Sequence, residues 1–359
     1  MALKNISIIG LGLIGGSIAK ALKNNSASLH IRGFDKKDIL EEAVKDGSID
    51  GALNSIEESV NSDIIFLCLP TELSLEYFIK LAPIISEDTI ISDVCGVKGI
   101  FETNWRKLNS KGFYIGGHPM TGKETSGYIS SDPLLFENSV YIISESAKKL
   151  TDLDEFLQVI KLLGARIRIL DPYIHDKVIS RVSHLPQLLS IALVNAAGEN
   201  GNGVNYLDFA AGGFRDMTRI ASSNYEIWEA VLKLNKDEIL NSIDKLNNKL
   251  LKIEELLKEN NFNDLQLLFQ KASIKRDAIP KNAKGFLNPL YDLFIYVKDE
   301  PGVLSKLTTL MYKNNISIKD IELLKIREGT GGTFRISFES EKIGLTAKKL
   351  IEEAGFTTK

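Results

Sequence analysis

The stretch NISIIGLGLIGGSIAK, residues 5–20, opens with an apolar run and passes through closely spaced glycines into a segment that can form a helix. The apolar run predicts a strand buried on both faces. Gly10, Gly12 and Gly15 have the spacing with which dinucleotide-binding folds join their first strand to their first helix. These glycines permit a tight turn, a close approach to a pyrophosphate and close packing of helix on strand. The predicted cofactor contacts in this stretch are Gly10, Leu11, Gly12, Ile14 and Gly15.

A second signal for this site lies at the end of the next predicted strand, residues 29–34. Asp35 follows that strand about twenty residues after the last glycine, where dinucleotide-binding folds carry an acid that hydrogen-bonds the ribose hydroxyls. A carboxylate repels a 2′-phosphate and so favours NAD, although Lys36 and Lys37 leave NADP open. Glycine turns also occur in proteins that bind no nucleotide, but the acid at this spacing favours an NAD site. Two residues after a later strand are predicted to line the same site: Leu69 and Pro70.

The composition is that of an ordinary globular protein, with 44% hydrophobic and 25% charged residues in a chain of 359, enough for two or three domains. A net charge of -3 gives no reason to expect nucleic acid or an anionic membrane as a partner. The sequence contains no apolar run as long as a membrane-spanning helix needs. Its two cysteines, Cys68 and Cys95, predict neither a disulfide framework nor a metal site. We therefore expect a cytoplasmic protein.

Short apolar runs alternate with helical patterns as far as Asp171, which predicts a doubly wound, mostly parallel α/β sheet, a Rossmann-type domain, over residues 1–171. Ligands of such sheets bind beyond the carboxyl ends of the strands, so residues 95–98 and 117–119 are expected to face the ligand. Residues 172–278 show helical periodicity with a glycine-rich interruption at 210–214. They predict an all-helical substrate and dimerisation domain.

The end of the chain predicts a third domain. Residues 279–289 contain two prolines, lack periodicity and are interpreted as a linker. Residues 290–359 then predict a strand, a helix, two strands, a helix and a short final strand, which is the ferredoxin-like order of an α+β domain. This third domain shows no pattern of catalytic residues.

Several motifs in a fixed order now carry a family resemblance over nearly the whole chain. The chain resembles prephenate dehydrogenases in GLGLIGGS, in DVCGVKG from Asp93, in GGHPMTGKETSG from Gly116, in SHLP from Ser183 and in GGFRDMTRIA from Gly212. Its tail, with DEPGVLSKL and ISIKDIELLKIREG, is similar to the ACT regulatory domain of some of these enzymes. The resemblance implies the NAD-dependent oxidative decarboxylation of prephenate to 4-hydroxyphenylpyruvate, a step of tyrosine biosynthesis, in a homodimer.

His118 is the first candidate catalytic residue. It follows a predicted strand, stands between Gly117 and Pro119, and is expected to face the ligand crevice. An imidazole with an ordinary pKa near 6.5 can accept a hydroxyl hydrogen bond at neutral pH. A loop histidine satisfied by the backbone is the structural alternative. The resemblance implies that His118 polarises the ring hydroxyl of prephenate while hydride leaves the same carbon.

Arg219 is the second candidate catalytic residue. The substrate is a dianion, and a planar guanidinium binds a carboxylate through two hydrogen bonds. The resemblance assigns Arg219 to the carboxylate-binding arginine of the family. Arg215 is a second cation of the same motif and a candidate substrate contact, with pairing to Asp216 as the structural alternative.

The remaining substrate contacts rest on the resemblance. Trp228 can cover the substrate ring or belong to the core, and His184 on a mostly apolar helix can be structural. Relatives carry a second histidine where this chain has Gln187, and a serine that hydrogen-bonds the catalytic histidine where it has Gly96. Lys123 and Glu124 belong to the loop of the His118 motif and are expected to gate the pocket, with exposure to solvent as the alternative for both. The predicted substrate contacts are Arg215, Trp228, His184, Glu124 and Gly96.

The C-terminal domain carries its own prediction. Gly302 lets the backbone come close to a ligand, and the following helix N-terminus can hold an amino-acid carboxylate. The resemblance implies an amino-acid effector, and we expect feedback inhibition by tyrosine; a domain that only holds the dimer together is the alternative. The predicted effector contacts are Asp299, Gly302 and Asn315.

Two other functions stay open at this point. Arogenate differs from prephenate by an amino group in place of a keto oxygen, so arogenate alone or both compounds can be the substrate. A different class of function is a non-catalytic NAD and amino-acid sensor, with Gly96 marking the lost chemistry. The presence of both His118 and Arg219 argues against the sensor.

Overall fold

A computed structural model describes residues 3–123, 125–145, 153–198, 203–279, 290–327 and 331–358. The chain divides into two compact units, Met1–Leu265 and Gln266–Lys359. The predicted substrate contact Glu124 lies outside the described residues. So does the linker predicted for residues 279–289, except for its first residue. In the part of the chain that is described, none of the helices combines the length and the apolar character needed to cross a membrane.

An eight-stranded sheet forms the framework of the first unit. The strands lie in the order β3-β2-β1-β4-β5-β6-β7-β8, and all neighbours are parallel except β6 and β7. The strands are β1 (Asn5–Ile9), β2 (His30–Phe34), β3 (Gly51–Ala52), β4 (Ile64–Leu67), β5 (Ile90–Asp93), β6 (Phe113–Pro119), β7 (Val140–Ser144) and β8 (Arg166–Leu170). The helices of this region are α1 (Leu13–Asn25), α2 (Lys37–Lys45), α3 (Thr71–Leu81), α4 (Gly99–Trp105) and α5 (Leu153–Lys161). The predicted doubly wound sheet is confirmed.

Strand β1 is an interior strand, the third of the eight, and it buries apolar side chains on both faces of the sheet. Ile8 packs into one core cluster with Ile18 and Phe66, whereas Ile9 packs into the opposite cluster with Leu67 and Phe78. Strand order reverses at β1, between β2 and β4, and ligands of doubly wound sheets bind at such a reversal. The carboxyl end of β1, where the glycines begin, therefore faces the ligand crevice.

Helices follow the sheet within the first unit. Asp171 caps the first of them, accepting hydrogen bonds from the backbone N–H groups of Tyr173 and Ile174, each at 2.9 Å, and Pro172 suits the first helical turn. A π-helical turn, Ser180–His184, interrupts the helix that the sequence predicts from 174 to 197. The helices are α6 (Pro172–Ile179), α7 (Leu185–Ala197), α8 (Gly212–Thr218), α9 (Tyr225–Leu234), α10 (Lys236–Lys258) and α11 (Phe262–Asp277), the last extending past Leu265.

Two local predictions in this region were wrong. The glycine-rich interruption is shorter than predicted, because Gly212 and Gly213 form the first turn of α8. Strand β6 also continues past residue 116 to Pro119, because residues 117–119 pair with β7 in antiparallel register. His118 therefore lies within the strand, opposite Ile142, rather than in a loop after it.

Several large apolar side chains of the helical region are exposed. The exposed fraction reaches 76% for Phe209, 70% for Ile227 and 61% for Met217. Apolar exposure on this scale is typical of a surface that another subunit covers.

The second unit contains a four-stranded antiparallel sheet in the order β10-β11-β9-β12. Alternate residues of β9, such as Leu293 and Ile295, are buried and pack with Leu307 and Ile351 of two helices. The predicted order of elements is confirmed, although the second strand begins at Asp320 rather than 316. The elements are β9 (Tyr291–Val297), α12 (Val303–Lys313), β10 (Asp320–Arg327), β11 (Gly331–Phe338), α13 (Glu341–Glu353) and β12 (Thr357–Thr358).

Candidate active site

The three glycines between β1 and α1 have different surroundings. Gly10 has a φ of +96°, which favours glycine, and its N–H donates to the Phe34 carbonyl at 2.8 Å. A Cβ on Gly15 would overlap the carbonyl oxygen of Gly10, so only glycine lets α1 pack this closely on the turn. A Cβ on Gly12 would meet no heavy atom within 4 Å, which leaves the backbone open to a ligand. The geometry suits a pyrophosphate bound at the N-terminus of α1.

Asp35 lies beside this turn, at the carboxyl end of β2. Its Oδ2 accepts the backbone N–H of Leu11 at 2.6 Å, and its Oδ1 accepts that of Lys36 at 2.7 Å. The carboxylate is thus held next to the glycines, where a ribose would follow the pyrophosphate. Leu69 also borders the turn, since a Cβ on Gly10 would lie 2.9 Å from its Cδ2, and Pro70 precedes α3. The residues present therefore fit an adenine dinucleotide, as the sequence predicts.

His118 is half-buried near the end of β6, and the preceding glycines permit close packing beneath it. A Cβ on Gly117 would lie 2.7 Å from the Asp93 carbonyl oxygen, and one on Gly116 would lie 2.7 Å from the Tyr114 hydroxyl. A Cβ on Gly96 would lie 3.9 Å from His118 Nε2, which is ordinary van der Waals contact. The predicted neighbours His118 and Gly96 are therefore brought together, and Gly96 leaves space beside Nε2.

Two residues that the sequence reasoning missed hold the other side of the His118 ring. His118 Nδ1 lies 2.8 Å from His175 Nε2, and His175 Nδ1 lies 2.8 Å from Asp176 Oδ1. An aspartate carboxylate only accepts hydrogen bonds at neutral pH, so His175 carries its proton on Nδ1 and accepts with Nε2. His118 must then donate with Nδ1, which leaves His118 Nε2 as an unprotonated acceptor on the Gly96 side.

Burial keeps these imidazoles neutral. Burial, together with His175, Lys98 and His184, holds the pKa of His118 well below its ordinary value. Burial also lowers the pKa of His175, although the hydrogen bond to Asp176 acts in the opposite direction. The site therefore offers a hydrogen-bond acceptor that is uncharged at neutral pH.

Asp176 has a second role in the same place. Its Oδ1 and Oδ2 accept the backbone N–H groups of Lys98 and Gly99, each at 2.7 Å. One buried carboxylate thus holds both the His175 ring and the end of the turn that carries Gly96. No local pattern links residues 118 and 175 in the sequence, and the only signal is a histidine beside an aspartate at the start of a capped helix.

Replacing His175 with phenylalanine is expected to change the tautomer of His118. Without the His175 acceptor, the His118 proton is no longer held on Nδ1, and a mixture of tautomers should form. Long-range ¹H–¹⁵N correlations can resolve this because the chain has only four histidines. The matched variant His30→Phe, on the distant β2, should leave the His118 tautomer unchanged. A single Nδ1-protonated His118 in the His175→Phe protein would contradict the assignment.

The predicted arginines lie on the surface of the helical region. Arg219 begins a short 3₁₀ turn after α8 and is exposed, as is Arg215, whose Nε donates to the Ala210 carbonyl at 3.2 Å. Gln187, buried on α7, donates to the carbonyl of Ile220 at 2.9 Å. Gln187 thus anchors the turn that begins with Arg219.

His184 and Trp228 contact each other, with ring centroids 6.0 Å apart in an edge-on arrangement. His184 is buried, Asn235 Nδ2 lies 3.3 Å from its Nδ1, and burial lowers its pKa to about 4. This environment favours a structural role for His184, and its predicted substrate contact stays a prediction. Lys123 pairs with Asp132 at 2.9 Å, so it is not simply solvated.

A cleft of about 360 Å³ lies in the second unit where β9 leads into α12. Gly302, with a φ of 85°, caps α12, and it lines the cleft together with Asp299, Leu323 and Phe334. Two of the three predicted effector contacts are therefore together. Asn315 has a φ of 55° in the turn after α12 and does not line this cleft.

Fold and site together define a dinucleotide-binding dehydrogenase. Family models of prephenate dehydrogenases match residues 18–169 as the nucleotide-binding domain and 171–271 as the dimerization domain, and an ACT domain model matches 291–355. The prephenate dehydrogenase of Bacillus subtilis is 34% identical over 358 residues, covering 97% of this chain and 95% of the relative. The chain belongs to the prephenate dehydrogenase family.

Solved structures that cover about three quarters of the chain give the same result. Prephenate dehydrogenase from A. aeolicus, in complex with hydroxyphenyl propionate and NAD+, is 30% identical with a TM-score of 0.69, covering 78% of this chain and 99% of that one. Synechocystis arogenate dehydrogenase is 29% identical with a TM-score of 0.68, covering 76% of this chain and 99% of that one. Similarity to enzymes named for both substrates leaves the choice of substrate to be tested.

Proposed function

We propose that the chain catalyses the NAD-dependent oxidative decarboxylation of prephenate to 4-hydroxyphenylpyruvate, with release of CO2 and NADH. The observation that carries this proposal is His118, a neutral imidazole whose Nδ1 is hydrogen-bonded to His175, which in turn is hydrogen-bonded to Asp176. This arrangement leaves His118 Nε2 as an acceptor. Family membership supports the same reaction, since the relatives with about one third identity over the whole chain are prephenate dehydrogenases.

The glycine-rich turn and Asp35 would hold NAD, with Leu69 and Pro70 beside them. When bound, NAD supplies the hydride acceptor. His118 Nε2 takes the proton of the ring hydroxyl. At the same time, the ring carbon that carries this hydroxyl loses a hydride and becomes a carbonyl carbon. The electrons of the broken bond to the ring carboxylate then make the ring aromatic as CO2 leaves. His118 returns its proton to the phenolate oxygen, so the imidazole ends neutral.

Arg219 is proposed to bind a carboxylate of the dianionic substrate, with Arg215, Trp228 and Glu124 as further contacts. An exposed guanidinium in a turn held by Gln187 is compatible with this role. A guanidinium that binds the ring carboxylate orients the bond that must break.

The test is NADH formation, followed by absorbance, with NAD and either prephenate or arogenate. The proposal expects prephenate to be oxidised at rates above those with arogenate. Turnover of arogenate alone would retain the reaction type and change the substrate. NAD binding without turnover of either compound would favour the sensor, with Gly96 as its explanation.

The exposed apolar side chains of the helical region support a homodimer. The match of residues 171–271 to a dimerization domain supports the same assembly. Sedimentation at several protein concentrations tests this proposal. We also propose that the enzyme acts in the cytoplasm, as expected for a step of amino-acid biosynthesis.

Tyrosine is the proposed effector of the ACT domain. The cleft beside Gly302 has the volume of a small-ligand site, and the N-terminus of α12 can accept a carboxylate. Inhibition of prephenate turnover by tyrosine, and not by an unrelated amino acid such as lysine, tests the assignment. A domain that serves only assembly would give no inhibition.

Replacing Gly302 with alanine is expected to raise the tyrosine concentration for half-inhibition roughly tenfold, because about 1–2 kcal/mol of left-handed backbone strain displaces the helix N-terminus. The matched control is Gly355→Ala. Gly355 has a similar φ of 88° but does not line the Gly302 cleft. An equal effect of both substitutions would contradict a site at Gly302.

A further inference from the structure

A fully buried ion pair joins the last residue of β5 to the turn that follows it, and the reaction described above does not use it. Lys98 Nζ contacts Asp93 Oδ1, and the two side chains are 1% and 0% exposed. Asp93 also accepts the N–H of Cys95 at 2.9 Å and the hydroxyl of Tyr114 at 2.8 Å. A buried ion pair gains little net stability, because desolvation of the two charges offsets their attraction. Stability alone therefore does not explain this pair.

The pair is joined to His118 by two routes. It closes the turn from Asp93 to Lys98, in which Gly96 lies beside His118 Nε2. The Lys98 stem also packs beneath β6, since a Cβ on Gly116 would lie 2.9 Å from Lys98 Cδ. Movement of Lys98 would thus disturb both the turn beside the imidazole and the strand that carries it.

The charges of the pair also act on the imidazoles. The Lys98 ammonium lowers the pKa of both His118 and His175, after the larger effect of burial, whereas Asp93 raises the pKa of His175. A positive charge beside an imidazole disfavours the protonated ring. Protonated His118 could not accept a proton from the substrate hydroxyl.

We propose that Lys98 is a positioning residue for this reaction: its buried ammonium, held by Asp93, fixes the turn that carries Gly96 and supports the strand that carries His118. The inference rests on the proposed role of His118 as acceptor. It assigns a function in catalysis to an ion pair whose burial is costly.

The titratable and charged groups around His118 come from four elements. They are Asp93 at the end of β5 with Lys98 in the turn that follows, His175 and Asp176 on α6, His184 in the π-helical turn and Tyr141 on β7. The Tyr141 phenol, which a Cβ on Gly117 would approach to 2.7 Å, stays neutral because burial raises its pKa. Lys98 is therefore the cation of this set at neutral pH.

The main test is the double variant Asp93→Asn/Lys98→Met, which removes both charges without leaving either one buried alone. The His118 pKa, measured from imidazole ¹⁵N shifts, should rise by about one unit. The acidic limb of kcat/KM for prephenate should move to higher pH by the same amount.

Lys80→Met is the matched control, because Lys80 forms an exposed ion pair with Glu57 at 2.8 Å. It should leave the His118 pKa unchanged. A folded double variant, shown by a cooperative thermal transition and NAD binding, with the His118 pKa of the original protein would overturn the proposal. The ¹⁵N titration needs no substrate, so it decides the role of Lys98 even if prephenate proves not to be the substrate.

Discussion

Replacing His118 with asparagine is expected to lower kcat for prephenate by a factor of about 10²–10⁴, the range for loss of a general base. Asparagine is smaller than the imidazole ring, and its amide can still donate to His175 Nε2, so the fold should persist. It cannot take up the hydroxyl proton. The affinity for NAD should remain that of the original protein, because the glycine-rich turn and Asp35 are untouched.

The pH profile gives a second readout of the same variant. The acceptor must be neutral, so activity falls as the pH drops through the pKa of His118. Burial holds this pKa well below its ordinary value, which places the acidic limb of kcat/KM below pH 6.5 in the original enzyme. The residual activity of His118→Asn should lack this limb.

His30→Asn is the matched control for this substitution. His30 begins β2, is exposed and lies near Asp50, away from the crevice. It should retain both the rate and the pH profile. Full activity of His118→Asn would refute the proposed mechanism while leaving the family assignment intact.

Replacing Gly15 with alanine is expected to destabilise the protein by about 3 kcal/mol or more, above the usual range for an overpacked side chain. The added Cβ would overlap the Gly10 carbonyl oxygen and lie 2.9 Å from Cys68 Cβ, and a backbone atom cannot rotate away. Either α1 moves from β4 or the turn opens, and both remove the phosphate site. Urea denaturation and titration with NAD would measure the two losses.

Gly12→Ala separates packing from binding at the same turn. Its Cβ would meet no heavy atom of the described chain within 4 Å, so the free energy of unfolding should stay close to that of the original protein. The methyl group would nevertheless stand where the pyrophosphate approaches, so NAD affinity should fall. If Gly15→Ala kept the original stability, the packing argument for the third glycine would be wrong.

Much of the fold could be predicted because its signals are local. The buried strand β1, the glycine turn and Asp35 lie within thirty-one residues, from 5 to 35, and each has a characteristic residue type and spacing. The order of elements in the C-terminal domain was predicted in the same way, from the alternation of apolar and polar residues in its strands and from the periodicity of its helices. The ends of the strands were harder to predict from local signals. Strand β6 extends to Pro119 because it pairs with β7, and the residues of β6 do not specify that partner.

The sequence by itself predicted the class of fold and the residues of a cofactor site, because residue type and short-range spacing suffice for these. The choice of His118 as the candidate acceptor rested on the family resemblance as well. Only the tertiary structure decided which nitrogen of His118 is free. His175 and Asp176 lie 57 and 58 residues further along the chain, and Lys98 lies 20 residues before it. Folding of α6 and the β5 turn against β6 brings these groups together. Their hydrogen bonds determine the tautomer, and burial together with the neighbouring charges lowers the pKa of His118.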